Sequence, residues 1–214
     1  GYKSLEALTS GQKNTAIGFE SLKTNVDGDQ NTAVGYQSLT VFEANADGEG
    51  KNTAVGNASG INVTTGQNNT LIGVSTGANT VALTTGSDNT LVGSLSDVST
   101  AGASNQTVLG KGAKGVADNS VTLGNASVTA VYMAQDSGAT VHARHMNLID
   151  SADNSSGGFL NLKNDRANPA DNDEAGRIYM YADDDGGNQT EAILMIGRLT
   201  DVSNGSEDSD LRIY

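Results

Sequence analysis

His142 and His145 are the only histidines in the 214-residue chain, and they stand three apart in HARH. On a helix, that spacing could offer two imidazoles to one metal ion. The surrounding stretch 128–152, VTAVYMAQDSGATVHARHMNLIDSA, alternates as one or two strands do, which sends the two rings to opposite faces. A surface or junction role is expected; the one ligand-binding reading left is a threefold metal or anion site on an oligomer axis. Asp183, Asp184 and Asp185 precede Gly186 and Gly187. A calcium loop spaces its oxygen ligands around a turn glycine, so contiguous acids in a short loop read as a solvated turn. DGDQ (27–30) and DGEG (47–50) read as turns in the same way, glycine supplying positive φ. The chain has no cysteine, which removes thiolate nucleophiles, disulfides and thiolate zinc sites. No nucleophile motif sets a serine in a recognisable frame with a histidine. Paired carboxylates that cleave a polysaccharide need not be close in sequence, but nothing among the 25 acids marks out a pair. The expectation is a protein that is not an enzyme and carries no cofactor and no metal.

Other residues recur instead. Asn14, Asn31, Asn52, Asn69 and Asn89 open the phrase Asn-Thr-x-x-Gly, and Thr15, Thr32, Thr53, Thr70, Thr90 and Thr107 form a parallel series. The glycines that close the phrase are Gly18, Gly35, Gly56, Gly73, Gly93, Gly110 and Gly124; counted from Gly1 their intervals are 17, 17, 21, 17, 20, 17 and 14. Such self-similarity marks a solenoid with one coil per repeat. The phrases NTAIG, NTAVG, NTLIG, NTLVG, QTVLG and VTLG are short, β-branched and bounded by Gly and Asn, so the coil is β. With strands ~4.8 Å apart, seven intervals build a body about 34 Å tall. The asparagines are read as an internal amide ladder that satisfies turn backbone. The threonine column is similar to the threonine ranks of ice-binding proteins, but it shares a face with Ile and Val and is read as structural.

The coil has a fixed and a variable part. Asn14 to Leu22 and Asn31 to Leu39 are both eight positions, whereas the return is nine from Leu22 to Asn31, thirteen from Leu39 to Asn52 and twelve from Gly77 to Asn89. Added length therefore collects in TVFEANADGEGK (40–51) and ANTVALTTGSD (78–88). Insertions on one side of a solenoid are often its binding face, which makes Phe42, Glu43, Asn45, Asp47, Asn79, Thr80 and Asp88 candidate receptor contacts. Neutral surface length is the alternative, since long loops cost little extra closure entropy. Within a rung, Thr15 and Ile17 point one way and Ala16 and Gly18 the other. Both sets are small or apolar, so the second face needs a cover, and another copy of the chain is the simplest.

Composition agrees. Only 36% of residues are hydrophobic and 4% aromatic, with 27 glycines, too few large side chains for a thick core. Disorder is the alternative for such a composition, and the fixed places of the β-branched residues argue against it. Net charge is −13, which argues against nucleic acid and against anionic lipid. No apolar run reaches the ~20 residues of a membrane span. GYKSL at the start matches the middle of the phrase, so the chain is expected to be part of something longer.

NSVTLGNASVTAVYM (119–133) and the NTAVGYQSL phrases resemble the head repeats of trimeric bacterial adhesins and of bacteriophage tail fibres. LKNDRANPADNDEAGRIYMYADDDGGNQTEAILMIGRLTDVSNGSEDSDLRIY resembles a β-rich module near the C-terminal part of phage fibres. The resemblance implies a left-handed parallel β-roll, packed as a homotrimer, over 1–127. Junction strands (128–156) and a small β-rich fibre module (157–214) would follow. It further implies a virion tail, extracellular location, with other tail proteins and a host cell-surface glycan or protein as partners. A bacterial surface adhesin and a polysaccharide-depolymerising tailspike remain as alternatives. The 17-residue spacing is longer than the adhesin unit, and only Gly110 to Gly124 has the shorter one.

Overall fold

Three or four β-branched or apolar residues flanked by Asn and Gly can make one short strand and then must turn. The computed structural model describes residues 1–46, 48–133, 141, 143, 174–183, 189–201 and 208–213. Seven such strands line up: β1 (Thr15–Ile17), β2 (Thr32–Val34), β3 (Thr53–Val55), β4 (Thr70–Ile72), β5 (Thr90–Val92), β6 (Gln106–Leu109) and β7 (Ser120–Leu123). They form one parallel sheet in sequence order. Parallel neighbours need a crossover, and here each crossover is the rest of one coil. The fold is all-β, a solenoid of about six turns with no helix among the described residues.

Thr15 pairs with Thr32, Ala16 with Ala33 and Ile17 with Val34, and the same register runs on through Thr107 and Leu109. In the last pair Thr107 faces Val121 and Val108 faces Thr122. The middle residue of each strand points inward. Ala33, Ala54, Leu71, Leu91 and Val108 are fully buried, together with Leu22, Leu39, Phe42, Val63, Leu83 and Val98 from the turns and returns. This single file of small and medium side chains is the core. At ~25 cal/mol per Å² of apolar surface, no one coil could bury enough to stand alone, so each templates the next.

Two backbone devices turn the coil. Gly18, Gly35, Gly56, Gly73 and Gly93 have φ between 137° and 142°, where only glycine is at ease. They also stack: a Cβ on any of them would strike the backbone carbonyl group of the next glycine in the column. The second device is left-handed backbone at residues with side chains. Lys13, Gln30, Lys51, Asn68, Asp88, Asn105 and Asn119, each just before the ladder position, have φ between 52° and 62°. Leu22 and Leu39 take φ of 47° and 49°, and Gly60 and Gly77 occupy the same place in the next two coils.

The chain divides into two compact units, Gly1–Thr140 and Val141–Tyr214. The division falls inside the 128–156 stretch read as a junction. In the second unit, β8 (Glu174–Asp183), β9 (Gln189–Asp201) and β10 (Asp208–Ile213) form an antiparallel sheet with β9 central. The register shifts between Glu174 and Gly176, between Met180 and Tyr181, and between Asp208 and Ser209.

Candidate interaction surface

The outward face of the seven-stranded sheet is built from two columns. Thr15, Thr32, Thr53, Thr70, Thr90 and Thr107 lie in register, and none of their hydroxyls has a hydrogen-bond partner among the described residues. Beside them run Ile17, Val34, Val55, Ile72, Val92 and Leu109; Ile17 is 60% exposed and Ile72 40%. No charged residue occurs in β1–β7, although the chain carries a net charge of −13. The face is thus a flat, repetitive, uncharged stripe of methyl groups and unpaired hydroxyls.

A third column borders it. Tyr2, Phe19 and Tyr36 each follow a repeat glycine, and their rings stack with centroids 5.4 and 5.3 Å apart. All three are substantially exposed. The amine of Lys3 lies 5.7 Å from the Tyr2 ring centroid. Next to Phe19, the Glu20 carboxylate accepts from Lys23 Nζ at 2.8 Å and Gln37 Nε2 at 2.9 Å. These bonds, that from Lys23 first, hold the Glu20 pKa below the usual carboxylate value, and the same pairing raises that of Lys23.

Inside the coil the asparagines form a continuous column. Asn14 Oδ1 accepts from Asn31 N and Nδ2 at 2.9 and 3.1 Å. Asn31 Oδ1 serves Asn52, Asn52 Oδ1 serves Asn69, and Asn69 Oδ1 serves Asn89 in the same manner. Gln106 N donates to Asn89 Oδ1 at 3.0 Å and ends the series. The amide nitrogens of Asn14, Asn52, Asn69 and Asn89 also donate to return-segment carbonyls of Gly28, Gly66, Gly86 and Ala103. This column fastens strand starts to returns and leaves nothing free for a ligand.

The candidate receptor contacts are scattered. Phe42 is fully buried, packed near Gly28; as a receptor contact it is corrected to a core residue, because an apolar ring in the longest return fills the coil interior. Glu43 is half-buried, and its Oε2 accepts from Val26 N at 2.7 Å. Burial first, then the neighbouring Asp27 carboxyl, raises its pKa. Asn45 is exposed, while Asp47 lies outside the described residues. Asn79 and Thr80 are exposed at one loop tip. Their backbone N–H groups donate to the buried Asp97 carboxylate at 3.0 and 2.6 Å, and the Thr80 hydroxyl does so at 2.8 Å. Asp88, also exposed, accepts from Asn68 Nδ2 at 3.2 Å on the other side of that return. The 40–51 and 78–88 loops are joined through the one coil between them, Glu43 N donating to Thr64 O and Thr64 N to Thr84 O.

His142, His145, Asp184 and Asp185 lie outside the described residues, and Asp183 closes β8 opposite Gln189. Among the described residues no group of three or more His, Asp or Glu side chains converges on a metal position. No described helix is long and apolar enough to cross a membrane. Two features lay beyond the sequence reading: the Asp97 clasp, which has no sequence signature, and the aromatic stack. The second does have a signal, since Tyr2, Phe19 and Tyr36 recur at the repeat interval directly after glycine. Comparison of the chain with protein-family models, curated proteins and solved structures finds no match in any of the three.

Proposed function

We propose that the chain is a structural and adhesive segment of a phage tail fibre, in which three left-handed solenoids pack through their strand faces around a common axis. One observation carries this reading: the stripe of β1–β7, which holds no charged residue, stays open on a single chain of net charge −13. Burying it against copies of itself removes apolar surface from water and gives the threonine hydroxyls partners. The sheet of β8–β10 belongs, in this reading, to a fibre module completed in the trimer.

The assembly would act outside the cell, on the virion, by presenting each loop three times so that weak contacts to a host-surface glycan or protein add by avidity. Asn79 and Thr80, held by Asp97, offer a pre-shaped polar tip of that kind. Adsorption of the fluorescently labelled chain to a panel of bacterial cells tests the reading. Saturable adsorption that weakens several-fold on Asn79→Ala with Thr80→Ala supports it. Absence of adsorption across the panel, or release of reducing sugar from the cell surface, counts against it.

A further inference from the structure

The strand face has a weakness as an interface: its rungs are nearly alike. Thr-Ala-Val occurs in both β2 and β3, and Thr-Leu with Ile or Val in β4 and β5. Sliding one copy along another by a single rung would match methyl to methyl and hydroxyl to hydroxyl again. Repetitive strands specify their register poorly. The column that borders the face is not repetitive. Down the coils it reads Tyr2, Phe19, Tyr36, Asn57, Val74, Ser94, Lys111, Asn125, each directly after a repeat glycine. Its first three members stack ring on ring, and its last three are polar or charged.

We propose that this Tyr2–Phe19–Tyr36 column is the register key of the assembly, aligning second and third copies parallel and rung for rung by bringing aromatic ends together. The inference rests on the self-association proposed above. The physical basis is position and polarity. Phe19 is separated from the exposed Ile17 only by Gly18, so the rings flank the stripe that a neighbouring copy would cover. Because the ring faces stack on one another within the chain, what the column offers outward is exposed apolar ring surface, and meeting the same column of a neighbouring copy removes that surface from water. A one-rung slip sets an aromatic ring against the position of Asn57, and an inverted copy sets the stack against Ser94, Lys111 and Asn125. Either leaves aromatic surface uncovered, which the strand face alone would not penalise.

The absence of cysteine allows a clean test by nitroxide labelling of two column positions below the stack, Asn57→Cys and Lys111→Cys, in separate full-length chains. Copies that run parallel to a common axis give the same inter-copy distance at both heights, agreeing within one rung of ~4.8 Å, and each distribution is narrow. In a background of Tyr2→Ser, Phe19→Ser and Tyr36→Ser the chain is expected to remain assembled through β1–β7 while both distributions broaden over several rungs. Tyr2→Ser alone, at the most exposed ring, is expected to broaden them less. Unequal distances in the parent would overturn the parallel register and leave self-association standing. Unchanged narrow distributions in the triple variant, or its dissociation to monomers, would overturn the aligning role of the rings. A parent chain with no inter-copy coupling that sediments as a monomer would remove the proposed assembly itself.

Discussion

Gly56 shows what a single atom does in this fold. Its φ is 138°, and a Cβ there would collide with the carbonyl group of Gly73. Gly56→Ala combines backbone strain of about 1–3 kcal/mol with overpacking of about 1–3 kcal/mol. It is expected to abolish cooperative unfolding or shift the urea midpoint strongly downward. Lys51 gives the opposite case: φ is 57° and the side chain is exposed. Left-handed backbone costs an L-residue about 1–2 kcal/mol, against about 0.5–1 kcal/mol for the extra unfolded-state freedom of glycine. Lys51→Gly should therefore stabilise by up to about 1 kcal/mol in urea titration, and an unchanged or lower midpoint would refute that. Glu43 supplies the pH-dependent residue. Its folded-state pKa is raised by burial and by Asp27, so the folded chain holds that proton more tightly than the unfolded one. Stability from this group is complete below the ordinary carboxylate pKa and falls as pH rises through the raised value. Glu43→Gln should flatten this part of the pH–stability curve, measured by thermal unfolding from pH 4 to 7.

At the scale of elements, the strand and the return are joined by the asparagine column. Asn69→Ala would leave Asn89 N and the Gly86 carbonyl without partners at a buried site, and would remove one of the two bonds made by Asn89 Nδ2 and by Asn52 Oδ1. At about 1–3 kcal/mol for each group left unsatisfied, a loss of several kcal/mol is expected in chemical denaturation, and a loss under 1 kcal/mol would contradict the tie. Asp97→Ala should release the 79–81 loop tip, seen as faster amide exchange at Asn79, Thr80 and Val81 with the solenoid otherwise unchanged. Much of this level was legible in sequence. A three-residue phrase repeated at a near-constant interval can only stack, so the strands and their parallel order follow from Thr15, Thr32 and Thr53. The asparagine positions were legible too, because a constant offset from the strand marks a side chain that serves the turn. Left-handed backbone at Leu22 and Leu39 was not, since leucine carries no local preference for it and the coil imposes it. Phe42 misled because polar neighbours made its segment read as a surface loop. Asp97 gave no signal, its partners being fixed only once the coils stack.

For the whole molecule, the central claim is that the β1–β7 face joins copies of this chain. A stripe without charge, six coils tall, on an acidic protein can be switched by adding charge to it. Val55 and Val92 are both partly exposed on the outward column, so Val55→Glu with Val92→Glu should leave each coil folded by circular dichroism. Like charges repeated in every copy would then oppose association. The most direct measurement is sedimentation equilibrium of the parent and of this double variant at several concentrations. The expected result is a parent of three times the 21.8 kDa chain mass at every concentration and a folded, monomeric variant. A parent that sediments at the mass of one chain throughout, or a double variant that stays trimeric, would contradict the account.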